Sequence, residues 1–466
     1  MEFFDRIDDF GSATAIISDS QGHFTFAELL KVADALRDHF RKKCLIFSVC
    51  ENSFESVAGY IGFLRARVVP LLINNGINHE SFASLLRTYR PAYIWLPREM
   101  AGANEWGAEV YQYGNYVLLM STYVPDYLLH EDLALLLTTS GSTGSPRLVR
   151  QSYKNISSNA SAIAQYLRIT AEHRPITTLP MSYVYGLSII NSHLLRGCAI
   201  VLTNKTLMNK GFWETLRINQ ATTFGGVPYV YEMLKKLRFS RIDLPSLNIL
   251  TQAGGKLSTD LSLEFATICE QKRIRFFVMY GQAEATSRMS YLPSEYAISK
   301  AGSIGIAIPG GEFWLEDDSG NVVTGDDTVG ELIYRGDNVT LGYASGREDL
   351  SKGDENNGVL KTGDLAKRDA EGFYYVVGRK KRFLKLFGNR VSLDEVEQLI
   401  HGLGHQCVCA GQDDHMRIYT SDKDNLAKIK NFVAERTGIH PSAFNMVYIE
   451  NIPRNAAGKI LYSALS

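Results

Sequence analysis

Strand-length apolar runs alternate with amphipathic stretches of helical length along the first part of the chain. Residues 26–40 carry apolar side chains at helical spacing, and the apolar run 44–49 that follows has the length of a buried strand. The pattern then repeats, with a helical stretch at residues 54–64 and a strand at residues 68–73. Because parallel strands need crossover connections, this alternation predicts an α/β fold in which helices flank mixed, mainly parallel sheets.

The character of the sequence changes after residue 302, where glycine, aspartate and asparagine become frequent and short β-type runs dominate. This change predicts a β-rich subdomain at the end of a large N-terminal domain. The residues from about 380 onward form a separate pattern, with a helix at 392–401 capped by Ser392, a strand pair, and a second helix at 424–437. We therefore predict a small α+β C-terminal domain.

Composition and charge exclude several classes of protein. The formal net charge of the 466 residues is −1, so no overall field favours nucleic acid, and no nucleic-acid partner is expected. The longest apolar stretches, such as residues 133–137, are too short to span a bilayer, and the acidic N-terminus does not resemble a signal peptide. The six cysteines lack zinc-site spacing and are typical of reduced cysteines. We expect a cytoplasmic protein without a membrane span.

An apolar strand leads directly into a loop of small and hydroxyl-bearing residues. Its glycines allow close approach, so that several backbone N–H groups can point at one ligand, and its hydroxyls add further donors. Such a loop can bind polyphosphate, although the Walker spacing is absent and a flexible surface loop is the alternative. The loop residues are Thr139, Ser140, Gly141, Ser142, Thr143 and Gly144, followed by Pro146 and Arg147.

Three further segments carry charged residues at strand ends, in turns or in the tail. Glu284 follows a strand-like run, and a carboxylate there can hold the Mg²⁺ that accompanies ATP. Asp364, in a Thr-Gly-Asp turn, can accept hydrogen bonds from both hydroxyls of a ribose, and Arg379 can add positive charge against phosphate. Lys459 lies beside a glycine in the C-terminal tail. Each segment by itself has an alternative interpretation as an ordinary turn or a solvated tail.

In this order, the motifs resemble those of the adenylate-forming superfamily, which comprises acyl- and aryl-CoA synthetases, nonribosomal-peptide adenylation domains and luciferases. The resemblance extends over about residues 25–461, nearly the whole chain. It rests on five ordered motifs and on weaker matches at Gly254-Gly255 and at residues 302–305. The five motifs are the loop 139–146, Tyr280-Gly281-Gln282-Ala283-Glu284, Thr362-Gly363-Asp364, Gly378-Arg379 with Lys381, Leu384 and Lys385, and Pro453-Arg454 with Gly458 and Lys459.

The resemblance implies an ATP-dependent carboxylic acid:thiol ligase that works in two half-reactions. The acid first forms an acyl-AMP with release of pyrophosphate, and the acyl group then passes to the thiol of CoA or of a carrier protein's phosphopantetheine. The implied cofactors are ATP, Mg²⁺ and that thiol. The resemblance also implies a domain 1–379 that binds ATP and the acid, and a mobile lid domain 380–466 that carries the catalytic lysine and rotates about a hinge at Lys381.

The same resemblance implies roles for individual residues. Glu284 would hold Mg²⁺, and Lys459 would bridge the carboxylate and the α-phosphate. After the lid has rotated, Lys385 would act at the thiol tunnel, where Gly388 is also expected. Besides the loop residues 139–144, the implied nucleotide-binding residues are Arg147, Gly254, Gly255, Tyr280, Gly281, Gln282, Asp364 and Arg379.

The sequence departs from the family pattern near the phosphate site. Arg147 stands where lysine is usual, Leu148 where glycine is usual, and Ala283 where threonine is usual. Because of these changes, the sequence does not predict which side chains contact the phosphates. They are also the only support for a different interpretation, in which the protein is a non-catalytic nucleotide-binding scaffold. The charged residues with implied roles are all present, which favours an active enzyme.

The segment before Gly186 bears on which acid is activated. Adenylation domains for α-amino acids place an aspartate there against the ammonium group, whereas residues 179–186 of this chain contain no acid. Tyr183, Tyr185 and Phe224 predict an apolar or aromatic wall, with core packing as the alternative. A fatty, aryl or other neutral-bodied acid is therefore favoured, and an amino-acid adenylating enzyme that loads a free-standing carrier protein is the alternative.

The acceptor thiol is expected to come from a separate molecule. The sequence ends seven residues after Lys459, which leaves no room for a fused carrier domain. The expected partners are therefore a small carboxylic acid and either CoA or a separate acyl or peptidyl carrier protein.

Overall fold

The computed structural model describes residues 2–102, 105–138, 147–380, 382–387, 389–455, 458 and 460–465. Two compact units divide the chain. The first comprises Met1–Gly302, Ala307–Glu312 and Arg335–Leu360, and the second comprises Ser303–Ile306, Phe313–Tyr334 and Lys361–Ser466. The expected functional boundary between residues 379 and 380 divides the chain differently, and it stays a prediction.

Helices in both units begin at polar capping residues. The Thr25 hydroxyl accepts a hydrogen bond from the backbone N–H of Glu28, and the Glu28 carboxylate accepts one from the backbone N–H of Thr25. Ser392 caps its helix in the same way, as predicted, by accepting from the N–H of Glu395 at 3.2 Å. These bonds satisfy N–H groups that have no partner inside the helix. The helices are α1 (Phe3–Arg6), α2 (Phe26–Arg37), α3 (Phe54–Arg65), α4 (His79–Tyr89), α5 (Tyr153–Tyr166), α6 (Val184–Leu194), α7 (Lys210–Ile218), α8 (Pro228–Lys236), α9 (Thr259–Gln271), α10 (Leu393–His401) and α11 (Leu426–Thr437).

The central strands of the first unit are apolar along their whole length. All six residues of Leu45–Cys50 are buried, as expected for a parallel strand that is covered on both faces of its sheet. The strands are β1 (Thr14–Ser18), β2 (Gly22–Thr25), β3 (Leu45–Cys50), β4 (Val69–Asn74), β5 (Tyr93–Pro97), β6 (Gly107–Tyr113), β7 (Tyr116–Ser121), β8 (Leu133–Thr138), β9 (Leu148–Ser152), β10 (Pro175–Ile176), β11 (Ile200–Leu202), β12 (Thr223–Gly226), β13 (Ile249–Gln252), β14 (Arg275–Tyr280), β15 (Ser290–Leu292), β16 (Ile306–Ala307), β17 (Gly311–Glu316), β18 (Gly330–Gly336), β19 (Gly342–Ala344), β20 (Val359–Arg368), β21 (Tyr374–Arg379), β22 (Phe383–Leu386), β23 (Asn389–Ser392), β24 (Cys407–Gln412), β25 (His415–Thr420) and β26 (Phe444–Tyr448).

One sheet of the first unit has the strand order β19-β9-β8-β4-β3-β5-β7-β6. Its centre is parallel, with β4 between β3 and β8 and with β5 on the other side of β3. At one side, β8 and β9 form an antiparallel hairpin in which Thr138 lies opposite Leu148. The expected phosphate loop, residues 139–146, connects these two strands and lies outside the described residues.

A second sheet of the first unit has the order β15-β14-β13-β12-β10-β11-β1-β2. The strands from β14 to β1 pair in parallel. Their carboxyl ends therefore lie at one edge of the sheet, which is where open α/β sheets bind their ligands. The chain leaves β13 just before Gly254 and leaves β14 just before Glu284. This edge thus brings two of the implied nucleotide-binding segments together.

The second unit begins with an antiparallel sheet of order β17-β18-β20-β21. The two-stranded sheet β22-β23 and the sheet β24-β25-β26 follow, and α10 and α11 contribute to the same apolar core as these strands. Core residues of this part include Leu386, Val396, Ile400, Cys409, Ile418, Val433 and Phe444.

The predicted fold class is confirmed: an α/β protein with a large set of mixed, mainly parallel sheets flanked by helices, a β-rich part, and a smaller α+β part. The predicted elements recur with small differences at their ends. The helix expected at residues 26–40 ends at Arg37, with Asp38 as its C-terminal cap. Over the described residues, no helix has the length and apolarity needed to cross a bilayer.

Candidate active site

The carboxyl end of β14 leads into a turn that only glycine permits. A Cβ atom at Gly281 would lie 1.6 Å from the carbonyl oxygen of Ser287, so the chain crosses itself in direct backbone contact here. Beside it, the Gln282 amide nitrogen lies 3.3 Å from the Tyr280 hydroxyl. The Tyr280-Gly281-Gln282 segment identified in the sequence therefore forms a compact turn at the sheet edge.

The turn continues through two residues with unfavourable backbone angles. Thr286 has φ +59° and Ser287 has φ +149°, values that non-glycine residues rarely adopt. The Thr286 hydroxyl donates to the Asn338 carbonyl at 2.7 Å, and the Asn338 side-chain amide donates to the carbonyls of Ala285 and Arg288. Such a conformation persists only where its surroundings over-determine it, and it is common at functional sites.

Glu284 lies within this turn, and an aromatic hydroxyl positions its carboxylate. Tyr343 donates to Oε1 of Glu284 at 2.6 Å, and the backbone N–H of Thr340 donates to the Glu284 carbonyl at 3.0 Å. The guanidinium of Arg147 lies over the Tyr343 ring, 4.3 Å from its centroid. Burial and the negative charge of Glu284 both raise the pKa of Tyr343, so its hydroxyl stays a donor. Arg147, Tyr343 and Glu284 therefore form one connected group.

The sequence did not identify Tyr343. It is separated from Glu284 by 59 residues and follows no recognisable motif. The contact arises because β19 pairs with β9, which places Tyr343 opposite Val149, two residues after Arg147. A prediction of that strand pairing is the one signal that could have found it.

The donor set around Glu284 suits Mg²⁺ better than a metal that needs a full cage of protein ligands. Among the described residues there is no cluster of three or more histidine, cysteine or carboxylate side chains. Mg²⁺ bound with a nucleotide usually takes one or two carboxylates and keeps waters and phosphate oxygens as its other ligands. A single carboxylate held by Tyr343 fits that pattern.

Asp364 and Arg379 face each other across two strands of the second unit. They are register partners in the antiparallel pair β20-β21, and the Arg379 Nε lies 3.1 Å from the Asp364 Oδ1. The Asp364 side chain is 4% exposed and the Arg379 side chain 63% exposed. The Asp364 N–H donates to the Thr362 hydroxyl, which fixes the turn. The two residues that the sequence assigned to ribose and phosphate thus form an ion pair with a buried carboxylate and an exposed guanidinium.

Gly254 and Tyr183 are in close contact at the neighbouring strand end. Gly254 has φ +84°, and a Cβ atom there would lie 2.6 Å from the Tyr183 hydroxyl. The next residue, Gly255, accepts a hydrogen bond from the Gln252 side chain at 2.8 Å. The ring of Tyr185 lies edge-to-face with that of Tyr183 at 6.5 Å. The two predicted wall tyrosines are therefore adjacent to the predicted glycine pair.

Phe224 lies apart from the two tyrosines, and its assignment to the acid site stays a prediction. Its ring packs on Phe212, with the centroids 6.0 Å apart. The next residue of the strand, Gly225, faces the Tyr185 hydroxyl, which lies 3.2 Å from the position of a Cβ there. Because side chains alternate between the faces of a strand, Phe224 points away from Tyr185.

An arginine that the sequence analysis did not single out lies behind the tyrosines. Arg288 is only 3% exposed, and its guanidinium lies 3.9 Å from the centroid of the Tyr185 ring. Its Nη1 donates to the Ser287 hydroxyl at 2.6 Å. A cation is therefore built into the aromatic wall.

Lys385 is an exposed residue of β22 in the second unit. Its N–H donates to an Asp413 carboxylate oxygen, and its carbonyl accepts from the Asp414 N–H, both at 2.8 Å. These two hydrogen bonds hold the backbone of Lys385, and neither of them involves its side-chain ammonium group.

Ion pairs hold the chain on both sides of the expected hinge residue. The Lys380 ammonium lies 2.9 Å from a Glu331 carboxylate oxygen, and the Arg382 guanidinium lies 2.8 Å from a Glu397 oxygen and also bonds Asp394. The predicted residues Lys381, Gly388 and Lys459 themselves, like Thr139, Ser140, Gly141, Ser142, Thr143 and Gly144, lie outside the described residues.

The model of the AMP-binding enzyme family matches residues 3–344 of this chain. The chain belongs to the AMP-binding enzyme family. A 2-succinylbenzoate–CoA ligase of Bacillus velezensis is 29% identical over 354 residues, which are 73% of this chain and 70% of the relative. A 2-succinylbenzoate–CoA ligase of Bacillus cereus is 26% identical over 455 residues, covering 89% and 90% of the two chains. A 4-coumarate–CoA ligase-like protein of Arabidopsis thaliana is 28% identical, covering 72% of this chain and 61% of its own.

Solved structures of family members share the fold. O-succinylbenzoate–CoA synthetase of Bacillus subtilis in complex with AMP superposes with a TM-score of 0.79 at 22% identity, covering 99% of this chain and 97% of that one. The same enzyme in complex with ATP and a magnesium ion gives a TM-score of 0.75 at 23% identity, covering 99% and 98%. ATP-bound MatB of Rhodopseudomonas palustris gives 0.78 at 18% identity, covering 100% and 98%.

The comparisons confirm three predictions made from the sequence: the adenylate-forming family, the fold class and an enzyme of the AMP-forming acid–thiol ligase type. The predicted cofactors are confirmed at the level of the family, since a relative was solved with ATP and magnesium and the named relatives are CoA ligases. The roles of individual residues in this chain stay predictions.

Proposed function

We propose that this protein activates an aryl or related carboxylic acid without an ammonium group as its acyl-AMP and transfers the acyl group to CoA. The first step consumes ATP and releases pyrophosphate. The proposal joins the family membership of the chain with the geometry at the carboxyl ends of β13 and β14.

The observation that carries the proposal is the group formed by Glu284, Tyr343 and Arg147. The Tyr343 hydroxyl holds the carboxylate at 2.6 Å, and the guanidinium lies over the ring of the same tyrosine. The carboxylate follows the carboxyl end of β14, and open α/β sheets bind ligands at that end of their strands. Glu284 would hold Mg²⁺, which when bound supplies positive charge against the phosphate oxygens. Arg147 would replace the lysine that is usual in the family as a phosphate contact, and its planar guanidinium can form two parallel hydrogen bonds.

The chemistry of the first step requires two anions, the acid and the α-phosphate, to approach each other. Catalysis is then mainly a matter of positioning and charge neutralisation. Lys459 would lie between the carboxylate and the α-phosphate and reduce their repulsion. The Asp364 carboxylate would accept hydrogen bonds from the ribose hydroxyls, and its ion pair with Arg379 would keep that carboxylate in place. The loop residues 139–144 would bind the leaving pyrophosphate.

The site around Tyr183 and Tyr185 favours a neutral-bodied or anionic acid over an α-amino acid. The guanidinium of Arg288 lies 3.9 Å from the Tyr185 ring, so an ammonium group at this wall would face a like charge in a desolvated setting. The relatives named above are 2-succinylbenzoate–CoA ligases and a 4-coumarate–CoA ligase-like protein, and both acids in these names have aromatic bodies. An amino-acid adenylating enzyme remains the alternative.

CoA is favoured as the acceptor, because the relatives at this level of similarity are CoA ligases. Transfer to the phosphopantetheine arm of a separate carrier protein is the second candidate. The lid domain 380–466 with its hinge at Lys381, the role of Lys385 at the thiol step and the cytoplasmic location stay predictions from the sequence.

The test is ATP–pyrophosphate exchange with a library of aryl, fatty and amino acids, followed by thioester formation with CoA. We expect exchange with aryl acids and a thioester product when CoA is added. Exchange with amino acids alone would favour an amino-acid adenylating enzyme. An absence of exchange with every acid would favour the non-catalytic scaffold.

A further inference from the structure

Arg288 is a buried cation in the segment that follows β14. The residue is 3% exposed, and no ion pair joins it to a carboxylate among the described residues. One guanidinium nitrogen donates to the Ser287 hydroxyl, but Nε is buried and has no hydrogen-bond partner in the described part of the chain. Buried charges in proteins are normally paired and hydrogen-bonded, so this residue needs an explanation.

Arg150 in the same unit shows what a structural buried arginine looks like. It is fully buried, its guanidinium pairs with Glu355, and it donates to the carbonyls of Tyr343, Leu341, Gly353 and Lys352. Every part of that side chain has an acceptor. Among the described residues, Arg288 has neither a carboxylate partner nor such a set of carbonyls, which separates it from a residue that serves the fold alone.

The groups around Arg288 are tyrosines, and they do not supply a negative charge. Burial raises the pKa of Tyr183 to about 12 and raises that of Tyr166 and Tyr185 as well, while the positive charge of Arg288 opposes the rise in each case. All three hydroxyls are therefore neutral near pH 7. The guanidinium lies over the Tyr185 ring and hydrogen-bonds the hydroxyls of Ser287 and Tyr166, while its buried Nε has no acceptor among the described residues.

The position of Arg288 connects it to the acid site. Its ring partner Tyr185 is adjacent to Tyr183, which touches Gly254 at the carboxyl end of β13. On the chain, Arg288 follows the strained residues Thr286 and Ser287, and its backbone carbonyl is held by Asn159 and Asn338. The turn that presents Glu284 therefore also fixes where the Arg288 side chain begins.

We propose that Arg288 determines substrate specificity by binding a second anionic group of the acid, a carboxylate at the end of the molecule remote from the carboxyl group that is adenylated. The substrate class is then an aryl dicarboxylic acid rather than a simple aryl or fatty acid. This inference rests on the proposed function, because it assumes that the Tyr183 and Tyr185 wall belongs to the acid site. A guanidinium suits this task, since its planar donors match the two oxygens of a carboxylate.

The experiment compares matched acids that differ only in the second carboxylate. The pairs are 2-succinylbenzoate against 4-oxo-4-phenylbutanoate, and terephthalate against benzoate. The quantity measured is kcat/KM in ATP–pyrophosphate exchange for the wild type, Arg288→Met and Arg288→Lys. Arg275→Met is the matched control, because Arg275 also lies over a phenyl ring, that of Phe277, away from the tyrosine wall.

We expect the wild type to prefer the dicarboxylic member of at least one pair, and Arg288→Met to lose that preference by about 10- to 100-fold, the usual effect of removing a hydrogen bond to a charged group. Arg288→Lys keeps the charge but not the paired donors, so it should retain part of the preference. Arg275→Met should retain all of it.

Each outcome decides between the possibilities. Equal use of both members of both pairs by the wild type overturns the proposal even if Arg288→Met does not fold. An undiminished preference in folded Arg288→Met overturns it as well. If the wild type shows no exchange with any acid, the proposed function fails rather than the assignment of Arg288. If Arg288→Met has a lowered thermal midpoint and loses activity on all acids equally, while Arg288→Lys restores both without any preference, the residue is structural.

Discussion

The carboxylate of Glu284 is positioned by a neutral hydroxyl. Tyr343 donates to it at 2.6 Å, and the Arg147 guanidinium lies over the face of the Tyr343 ring. At the scale of single residues, one tyrosine therefore contacts a carboxylate through its hydroxyl and a guanidinium through its ring.

Substitution of Tyr343 tests this arrangement. Tyr343→Phe keeps the ring under Arg147 but removes the hydroxyl that orients Glu284, so we expect the apparent Mg²⁺ affinity to fall about 10- to 100-fold, as is typical when a residue that orients a metal ligand is lost. The measurement is the Mg²⁺ dependence of ATP–pyrophosphate exchange. Glu284→Gln should have a larger effect with little change in thermal midpoint, because the two side chains have the same shape. An unchanged Mg²⁺ half-saturation in both variants would exclude Glu284 as the metal residue.

A second prediction at this scale concerns the buried carboxylate of Asp364. Asp364→Ala should raise the KM for ATP or abolish activity, because the ribose would lose its acceptor. ATP analogues that lack a ribose hydroxyl should be poor substrates for the wild type but should lose that disadvantage in the variant. The assay compares ATP with its 2′-deoxy and 3′-deoxy forms. If the wild type and the variant discriminate equally, Asp364 does not bind the ribose.

At the scale of elements, the fully buried Arg150 ties β9 to the segment that carries Tyr343. Its side chain contacts the carbonyls of Leu341, Tyr343 and Lys352 and the carboxylate of Glu355. These bonds hold the chain on both sides of β19, which pairs with β9 at the side of its sheet. The position of Tyr343 beside Glu284 therefore depends on the buried Arg150 and its ion pair with Glu355.

Removal of the Arg150 guanidinium should be costly. Arg150→Met leaves several buried carbonyls without a donor and breaks a pair with one fully buried partner, so we expect the free energy of unfolding to fall by about 3–5 kcal/mol. The measurement is urea denaturation of the full chain. Arg37→Met removes an exposed ion pair to Asp34 and should change stability by about 0–1 kcal/mol. Similar losses in the two variants would contradict the role of the Arg150 network.

The elements differ in how far the sequence could predict them. The helix at Phe54–Arg65 and the strand at Ile249–Gln252 follow from apolar spacing and length, because local patterns determine which residues must be buried. Glu284 and Asp364 follow from ordered motifs. Tyr343 and Arg288 do not, since their importance comes from strand pairing and from a burial environment built by distant segments. The side of its strand on which Phe224 lies could not be predicted for a related reason, because the face of a short strand depends on a register that its own residues do not set.

At the scale of the whole molecule, one acid site is expected to serve two reactions in turn. The family membership supports the two half-reactions. Within the second unit, ion pairs anchor Lys380 to Glu331 and Arg382 to Glu397, the residues that precede and follow the expected hinge position. A hinge flanked in this way would concentrate the change of backbone angles at few residues, as hinges in domain closure do. The catalytic lysine and the hinge lysine should then affect different steps.

The most direct test is to measure pyrophosphate release and thioester yield for Lys459→Ala and Lys381→Pro, starting either from the free acid or from synthetic acyl-adenylate. Lys459→Ala should slow adenylation about 10²- to 10³-fold, the effect of losing one transition-state contact, and should leave thioester formation from the adenylate nearly unchanged. Lys381→Pro should do the opposite, because proline fixes φ near −65° and blocks the hinge. If Lys459→Ala slows both steps equally, the two reactions do not alternate in one site in the way proposed.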